Sequence, residues 1–304
     1  MNQKKLIAGY FFVILSAFIF GLMPLMAKLI YKEGTNPQSL VFLRNIISIP
    51  VLLLLSVATK KPIKINAAAI PYISVIALMG CCITPLLLFH SYNHIPSGTA
   101  TVFHFIYPPV VVLGEYIFLK NKFSLSNLLS VFLCVIGIVL FYNPDTTINI
   151  KGSLYALVSG VTYAIYVMCL SGFKYKEISG FTFSLYIAIS ASAVMLLVCI
   201  FTDQLKFPQS IFGWVLTFLF SISLNVGAVV LFQKGTFLIG GGRASVLSTI
   251  EPVTSILAGV VIFNEKISAF TVIGTLLVIT ASILIALSDR TKRLQHTPAA
   301  GTEG

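Results

Sequence analysis

The sequence predicts an all-α integral membrane protein with ten transmembrane helices, arranged as two inverted five-helix repeats. Three observations carry this prediction: a composition with 57% hydrophobic and 10% charged residues, a series of long apolar runs, and a match of the chain with itself at an offset of 144 residues. Soluble domains hold about 45–50% apolar and about 25% charged residues. The mean hydropathy of +0.98 therefore excludes a soluble domain.

The apolar runs set the number of predicted spans. A helix needs about 20 apolar residues to cross the hydrocarbon core. By that length the sequence predicts ten spans, at about 6–30, 38–58, 69–92, 97–119, 124–142, 152–172, 180–201, 211–233, 242–263 and 269–287. Residues 1–146 then form the first five-helix repeat, residues 147–290 the second, and residues 291–304 a disordered cytoplasmic tail.

The repeat is clearest between the fourth and the ninth span. At the offset of 144, eight of 28 aligned positions are identical, including Gly98 with Gly242 and Pro108 with Pro252. A duplicated unit with an odd number of spans enters the membrane from the opposite face, so the halves have inverted topology. This arrangement is typical of secondary transporters, whose binding site lies between the halves near the midplane. The alternative is a repeat that serves packing alone.

The net charge of +11 predicts the orientation in the cell membrane. With a cytoplasmic N-terminus, twelve basic residues fall on the inner side and five on the outer side, as cytoplasmic loops require. Both termini are then cytoplasmic and the loop near residues 143–151 is outside. The inner set is Lys4, Lys5, Lys60, Lys61, Lys64, Lys120, Lys122, Lys174, Lys176, Arg290, Lys292 and Arg293, and the outer set is Lys28, Lys32, Lys151, Lys206 and Lys266.

Particular stretches resemble a known family. Residues 242–253, which contain Glu251-Pro252, are followed by residues 263–268 and resemble the second EamA domain of the drug/metabolite transporter superfamily. The first half is similar through residues 16–21, Arg44 and Pro108, although Tyr107 stands where Glu251 stands in the second half. The resemblance implies an EamA-type exporter or exchanger of small metabolites, often amino acids. It also implies a central cavity lined by spans one, three, four, six, eight and nine.

Glu251 is the first candidate for a transport role, because it lies about nine residues into the ninth span. An ionisable group inside the membrane costs a few kcal/mol on insertion scales, so it needs a partner or a purpose. Helical spacing puts Ser248 and Ser255 on the face of Glu251. Pro252 cannot donate a backbone hydrogen bond, which predicts an unpaired carbonyl near Ser248. Two interpretations stay open: proton coupling or substrate contact, and a purely structural carboxyl group.

Further polar side chains lie deep in other spans. His104 and Tyr107 share the equivalent face of the fourth span, and Tyr163 and Asn225 lie within the sixth and eighth. For His104 a proton relay competes with a neutral histidine bonded to a neighbouring helix, and for Arg44 an anion-attracting role competes with an interhelical bond. The predicted substrate-binding residues are Glu251, Ser248, Ser255, His104, Tyr107, Tyr163 and Asn225.

The sequence predicts a transporter and no enzyme, cofactor or metal site. It contains no G-x-S-x-G, no H-E-x-x-H and no P-loop, and its four histidines lack metal-ligand spacing with cysteines or acids. We expect a multi-pass carrier that exports or exchanges small metabolites, such as amino acids or related amphipathic compounds, by alternating access. The expected partners are that substrate and the lipid bilayer, without nucleic acid; proton coupling and a homodimer stay open. The alternatives are a membrane scaffold, a membrane-embedded enzyme or a channel.

Overall fold

The computed structural model describes residues 3–60, 62–119, 125–140, 149–173, 178–239, 244, 247–248, 250–263 and 268–295, and the regular structure in these ranges is helical. We label its helices α1 Gln3–Lys32, α2 Pro37–Ala58, α3 Ala67–Ser91, α4 Ser97–His104, α5 Tyr107–Leu119, α6 Leu125–Leu140, α7 Ile150–Ser171, α8 Gly180–Phe201, α9 Ile211–Ile239, α10 Ile250–Phe263 and α11 Ala269–Gln295.

Six of these helices are long and apolar enough to cross a membrane: α1, α2, α3, α7, α8 and α9. Helices α10 and α11 contain shorter apolar stretches. Many outward-facing side chains are large and apolar, such as Leu54, Phe201, Ile211 and Val261. A surface of this kind is unsuited to water. The described helices therefore belong to an integral membrane protein.

Short polar caps start several of the helices. Asn36, Asn149, Ser179 and Ser210 each precede an apolar run and accept a backbone N–H three residues further on, at the starts of α2, α7, α8 and α9. Such residues satisfy one of the free N–H groups at a helix start. The turn residues between apolar runs thus fix where these helices begin.

Helix packing follows the repeat. Helix α1 packs against the second half of α9 and against α10, while α7 packs against the second half of α3 and against α4 and α5. Helix α2 packs against α8, and α6 against α11. At the offset of 144, α1 corresponds to α7, α3 to α9, α4 with α5 to α10, and α6 to α11. The contacts of α1 with α9 and α10 therefore correspond to the contacts of α7 with α3, α4 and α5. The pairs α2–α8 and α6–α11 each join two equivalent helices.

Two π-helical turns also repeat at the same offset. Residues Leu78–Ile83 form such a turn inside α3, and Ile222–Ala228 form one inside α9. After each turn a backbone N–H donates to the carbonyl five residues back, from Thr84 to Met79 and from Val229 to Leu224. Single π-helical turns inside α-helices occur frequently at functional sites. These two π-helical turns were not predicted from the sequence.

The predicted fourth span is interrupted, which corrects the expectation of one helix over residues 97–119. Helix α4 ends at His104 and α5 begins at Tyr107. Pro108 and Pro109 cannot donate to the carbonyls of His104 and Phe105, so the helical hydrogen-bond ladder fails there. The consecutive prolines were visible in the sequence, but their effect was not predicted.

Other boundaries also differ from the prediction. Helix α9 continues to Ile239, beyond residue 233. Helix α10 is described from Ile250, and of residues 242–249 only 244, 247 and 248 lie within the described part of the chain. Helix α11 extends to Gln295, five residues into the segment 291–304 that was predicted as a disordered tail. Residues 291–295 contain Lys, Arg, Leu and Gln, all good helix formers. The repeat boundary at 146, the loop at 143–148 and residues 296–304 lie outside the described residues.

Candidate functional site

A cavity lies between the two repeats. Its lining comes from α1, α2, α3 and α4 of the first half and from α7, α9 and α10 of the second. These helices include the six spans that the resemblance implies, together with the second span. The polar and aromatic lining residues are Arg44, Thr84, His104, Tyr163, Tyr166 and Glu251, and apolar lining comes from Phe20, Met23, Leu88 and Val229.

Glu251 occupies the first turn of α10 and is only 8% exposed. It lines the cavity. Its backbone N–H donates to the Ser248 carbonyl at 2.9 Å, but within the described residues no side chain pairs with its carboxylate. The carboxylate is therefore available to a ligand, to water or to a proton in the cavity.

The Ser248 carbonyl is not unpaired, so that sequence expectation is wrong. Pro252 does remove the usual donor, but the chain tightens and the Glu251 N–H, three residues after Ser248, takes its place. The Ser248 hydroxyl donates to the Ala244 carbonyl at 2.9 Å within the same segment. Local rearrangement at a helix start supplies such three-residue bonds.

An aromatic cluster contains the cavity-lining side chains of His104 and Tyr163. The ring of Tyr163 lies 5.2 Å from that of His104 and 4.8 Å from that of Tyr107, measured between centroids, and the two tyrosine rings meet edge to face at 85°. His104 Nδ1 lies 2.8 Å from the Ser159 hydroxyl on α7. The fully buried Tyr107 hydroxyl has no partner among the described residues. The cluster joins the interrupted α4–α5 segment to α7.

Close backbone contact supports the cavity on both sides. A methyl group on Gly21 of α1 would lie 2.8 Å from the Glu251 carbonyl and 2.5 Å from Thr254 Cβ, and one on Gly160 of α7 would overlap the His104 carbonyl. Small residues let membrane helices approach closely. A glycine of each repeat therefore lies in close contact with a helix of the other repeat that carries a cavity residue.

The remaining predicted site residues lie behind the cavity wall. The Ser255 hydroxyl is 3.1 Å from that of Thr101, which links α10 to α4. Asn225, in the π-helical turn of α9, accepts from Arg44 and donates to the Arg44 carbonyl at 2.8 Å. The structure thus brings Glu251, His104 and Tyr163 to the cavity, with Tyr107, Ser248, Ser255 and Asn225 outside the lining. Their roles in transport stay predictions.

Arg44 is a cavity residue that the predicted site left out. It is 3% exposed, lines the cavity and makes the interhelical hydrogen bond that was one of its two interpretations. A single arginine inside a long apolar run was the available signal, since such residues rarely face lipid. The sequence does not show that α9 lies beside α2, and this packing brings Asn225 to the guanidinium.

Apolar helices of membrane-spanning length, packed as two repeated halves around a polar cavity, define the class of polytopic membrane transporters. Within that class the chain belongs to the EamA-like transporter family, which it matches twice, over residues 7–143 and 150–287.

Similar proteins span nearly the same length. An uncharacterized transporter of Clostridium kluyveri is 21% identical, over 96% of this chain and 98% of the relative. The uncharacterized transporter YcbK of Bacillus subtilis is 24% identical, over 89% of this chain and 90% of the relative. A solved crystal structure superposes with a TM-score of 0.67 at 14% identity, over 96% of this chain and 99% of that chain. That likeness concerns the fold alone.

Proposed function

We propose that the protein is a secondary transporter that exports or exchanges small amphipathic metabolites, of the amino-acid class or related to it, by alternating access. The observation that carries the proposal is the cavity between the repeats, where an acidic and a basic side chain face the same space. Binding sites near the midplane between repeats are typical of such carriers. The aromatic and apolar lining suits the apolar part of an amphipathic substrate.

Inverted repeats and ten spans are part of the proposal. If α4 and α5 together form one interrupted span, the described helices supply ten crossings. An odd number of spans in each half then gives the halves opposite orientations. The helix contacts support this architecture, because the contacts of one half correspond to those of the other at the offset of 144 residues. Rocking of one half against the other would expose the cavity to each side in turn.

Glu251 is the residue that we propose for coupling to protons or for contact with a cationic group. Its carboxylate faces the cavity and has no partner among the described residues. A carboxylate in that position is able to take up a proton on one side of the membrane and release it on the other. His104 is less suited, because its Nδ1 is already engaged with Ser159.

Reconstituted vesicles test the transport function. Purified protein in vesicles is offered labelled amino acids and amines, with and without an imposed pH gradient, and empty vesicles serve as the control. We expect saturable uptake and counterflow for at least one compound, with acceleration by the gradient. Uptake no better than that of empty vesicles across the panel would favour a scaffold or an embedded enzyme. Single-molecule conductance without counterflow would indicate a channel.

A further inference from the structure

Arg44 presents a buried cation to the cavity without an acidic partner among the described residues. Its Nε and Nη2 atoms donate to one neutral oxygen, Oδ1 of Asn225, at 3.2 and 2.9 Å. No described residue supplies an acceptor for Nη1. A buried charge is costly unless it is paired, and an intramembrane arginine indicates a functional site. The structure therefore holds a positive charge that a neutral amide compensates only in part.

The guanidinium is held in a fixed place by both repeats. Asn225 also donates to Asn45 Oδ1 at 3.1 Å and to the Ser48 hydroxyl at 3.2 Å, so its amide cannot turn freely. Asn45 in turn donates to the Cys81 carbonyl at 3.3 Å. Pro85, four residues after Cys81, has no backbone N–H to donate to that carbonyl. Cys81 and Asn225 lie at repeat-equivalent positions of the two π-helical turns. Adjacent residues of α2 thus contact both turns.

We propose that Arg44 is the subsite for the carboxylate of the transported molecule. This rests on the proposed transport function and names the substrate class more closely: an amphipathic acid. Arginine binds carboxylates through two parallel hydrogen bonds. A carboxylate is a stronger acceptor for a guanidinium than an amide oxygen is, since charge-assisted bonds are about twice as strong as neutral ones. The carboxylate of the substrate therefore replaces the Asn225 side-chain oxygen as the hydrogen-bond acceptor of Arg44.

The lining around Arg44 fits the rest of such a molecule. Phe20, Met23 and Leu88 offer apolar surface, and Tyr166 and Thr84 offer hydroxyl groups in the same cavity. Displacement of Asn225 also removes a hydrogen bond between α2 and the π-helical turn of α9. Substrate binding at Arg44 thereby acts on one of the two irregular turns at the interface of the repeats.

Matched pairs of probes test the subsite. L-phenylalanine, L-leucine and L-threonine are each compared with their carboxamides, which keep the amine and the side chain but lose the negative charge. Uptake by vesicles and the melting temperature of the purified protein are measured for each probe. For the parent protein we expect uptake of at least one acid to exceed that of its carboxamide by about tenfold or more, the range of one charged hydrogen bond.

Variants of Arg44 and Asn225 separate recognition of the carboxylate from helix packing. Arg44→Gln removes the cation, and Asn225→Asp places a permanent carboxylate of similar size beside it. Both should abolish the preference for the acid while uptake of the carboxamide persists. Arg44→Lys keeps the charge without the planar fork and should retain a reduced preference, which supplies the test if Arg44→Gln does not fold.

The outcomes also separate this proposal from the transport function. An equal loss of acid and carboxamide uptake in folded Arg44→Gln and Asn225→Asp shows that Arg44 is only structural and overturns the subsite. Uptake of carboxamides and acids without preference in the parent protein also overturns it, while transport stands. If the parent protein neither transports nor is stabilised by any probe, both proposals fail.

Discussion

At the residue scale, the cavity is lined by one acidic and one basic side chain, and no ion pair joins them among the described residues. Glu251 comes from the second repeat and Arg44 from the first. Their repeat equivalents are Tyr107 and Ala188, which are uncharged. The pseudo-symmetry of the fold is thus broken at the cavity, where each half contributes one ionisable side chain.

The Glu251→Gln variant tests proton coupling. It keeps the size of the side chain and its capacity to form hydrogen bonds, but it cannot titrate. We expect gradient-driven transport to fall to the level without a gradient and its pH dependence to flatten, measured in vesicles. Glu33→Gln is the matched control, because Glu33 lies beyond α1 and bonds Ser210 away from the cavity. Unchanged, pH-responsive transport in Glu251→Gln would end the hypothesis and direct attention to His104.

At the scale of elements, helix irregularities concentrate around the cavity. The π-helical turns of α3 and α9 contribute Gly80, Cys81 and Asn225 to it or to its immediate wall, and the α4–α5 interruption follows His104. Proline and π-helical geometry each release backbone groups from the regular ladder. Helix irregularities therefore lie at the cavity, beside the continuous helices α1, α2 and α7 that also line it.

The glycine contact between α1 and α10 is tested by Gly21→Ala. The added methyl group would meet Thr254 Cβ at 2.5 Å and the Glu251 carbonyl at 2.8 Å, so the helices must separate. Overpacking of this kind costs about 1–3 kcal/mol of unfolding free energy, measured as a lower melting temperature of the purified protein. Gly227→Ala is the matched control, since its methyl group would meet no atom closer than 3.6 Å. An equal loss in both variants would contradict the packing explanation.

At the scale of the whole molecule, hydrogen bonds join the segment after α1 to the segment before α9 at one end. The Asn36 side chain donates to the Gln204 carbonyl at 2.9 Å, and the Gln209 N–H donates to the Glu33 carbonyl at 2.9 Å. These segments belong to different repeats. Their shared end is the one that the distribution of basic residues predicts to be extracellular.

Labelling of single cysteines tests this orientation. In a background with the five native cysteines replaced by alanine, Pro62→Cys and Lys206→Cys place a thiol at exposed positions on opposite predicted sides. A membrane-impermeant maleimide added to intact cells should modify the cysteine at 206 and not the one at 62. Modification of position 62 from outside would overturn the orientation with cytoplasmic termini.

The sequence alone was enough to predict the class of fold, the repeat and the presence of Glu251 deep in an apolar segment. These follow from local properties: hydropathy, the spacing of turn residues and self-similarity at one offset. Most helix bounds, such as 180–201, were predicted for the same reason.

The packing of the helices sets which polar side chains share a cavity, and the sequence did not show that packing. Arg44 and Asn225 are 181 residues apart and meet because α2 packs against α9; Ser255 faces Thr101 of α4 rather than the cavity. A helical wheel gives the face of each helix but not what lies opposite that face. The π-helical turns were also not predicted. Contacts with other helices, such as the bond from Asn45 to the Cys81 carbonyl, are invisible in the sequence of one helix.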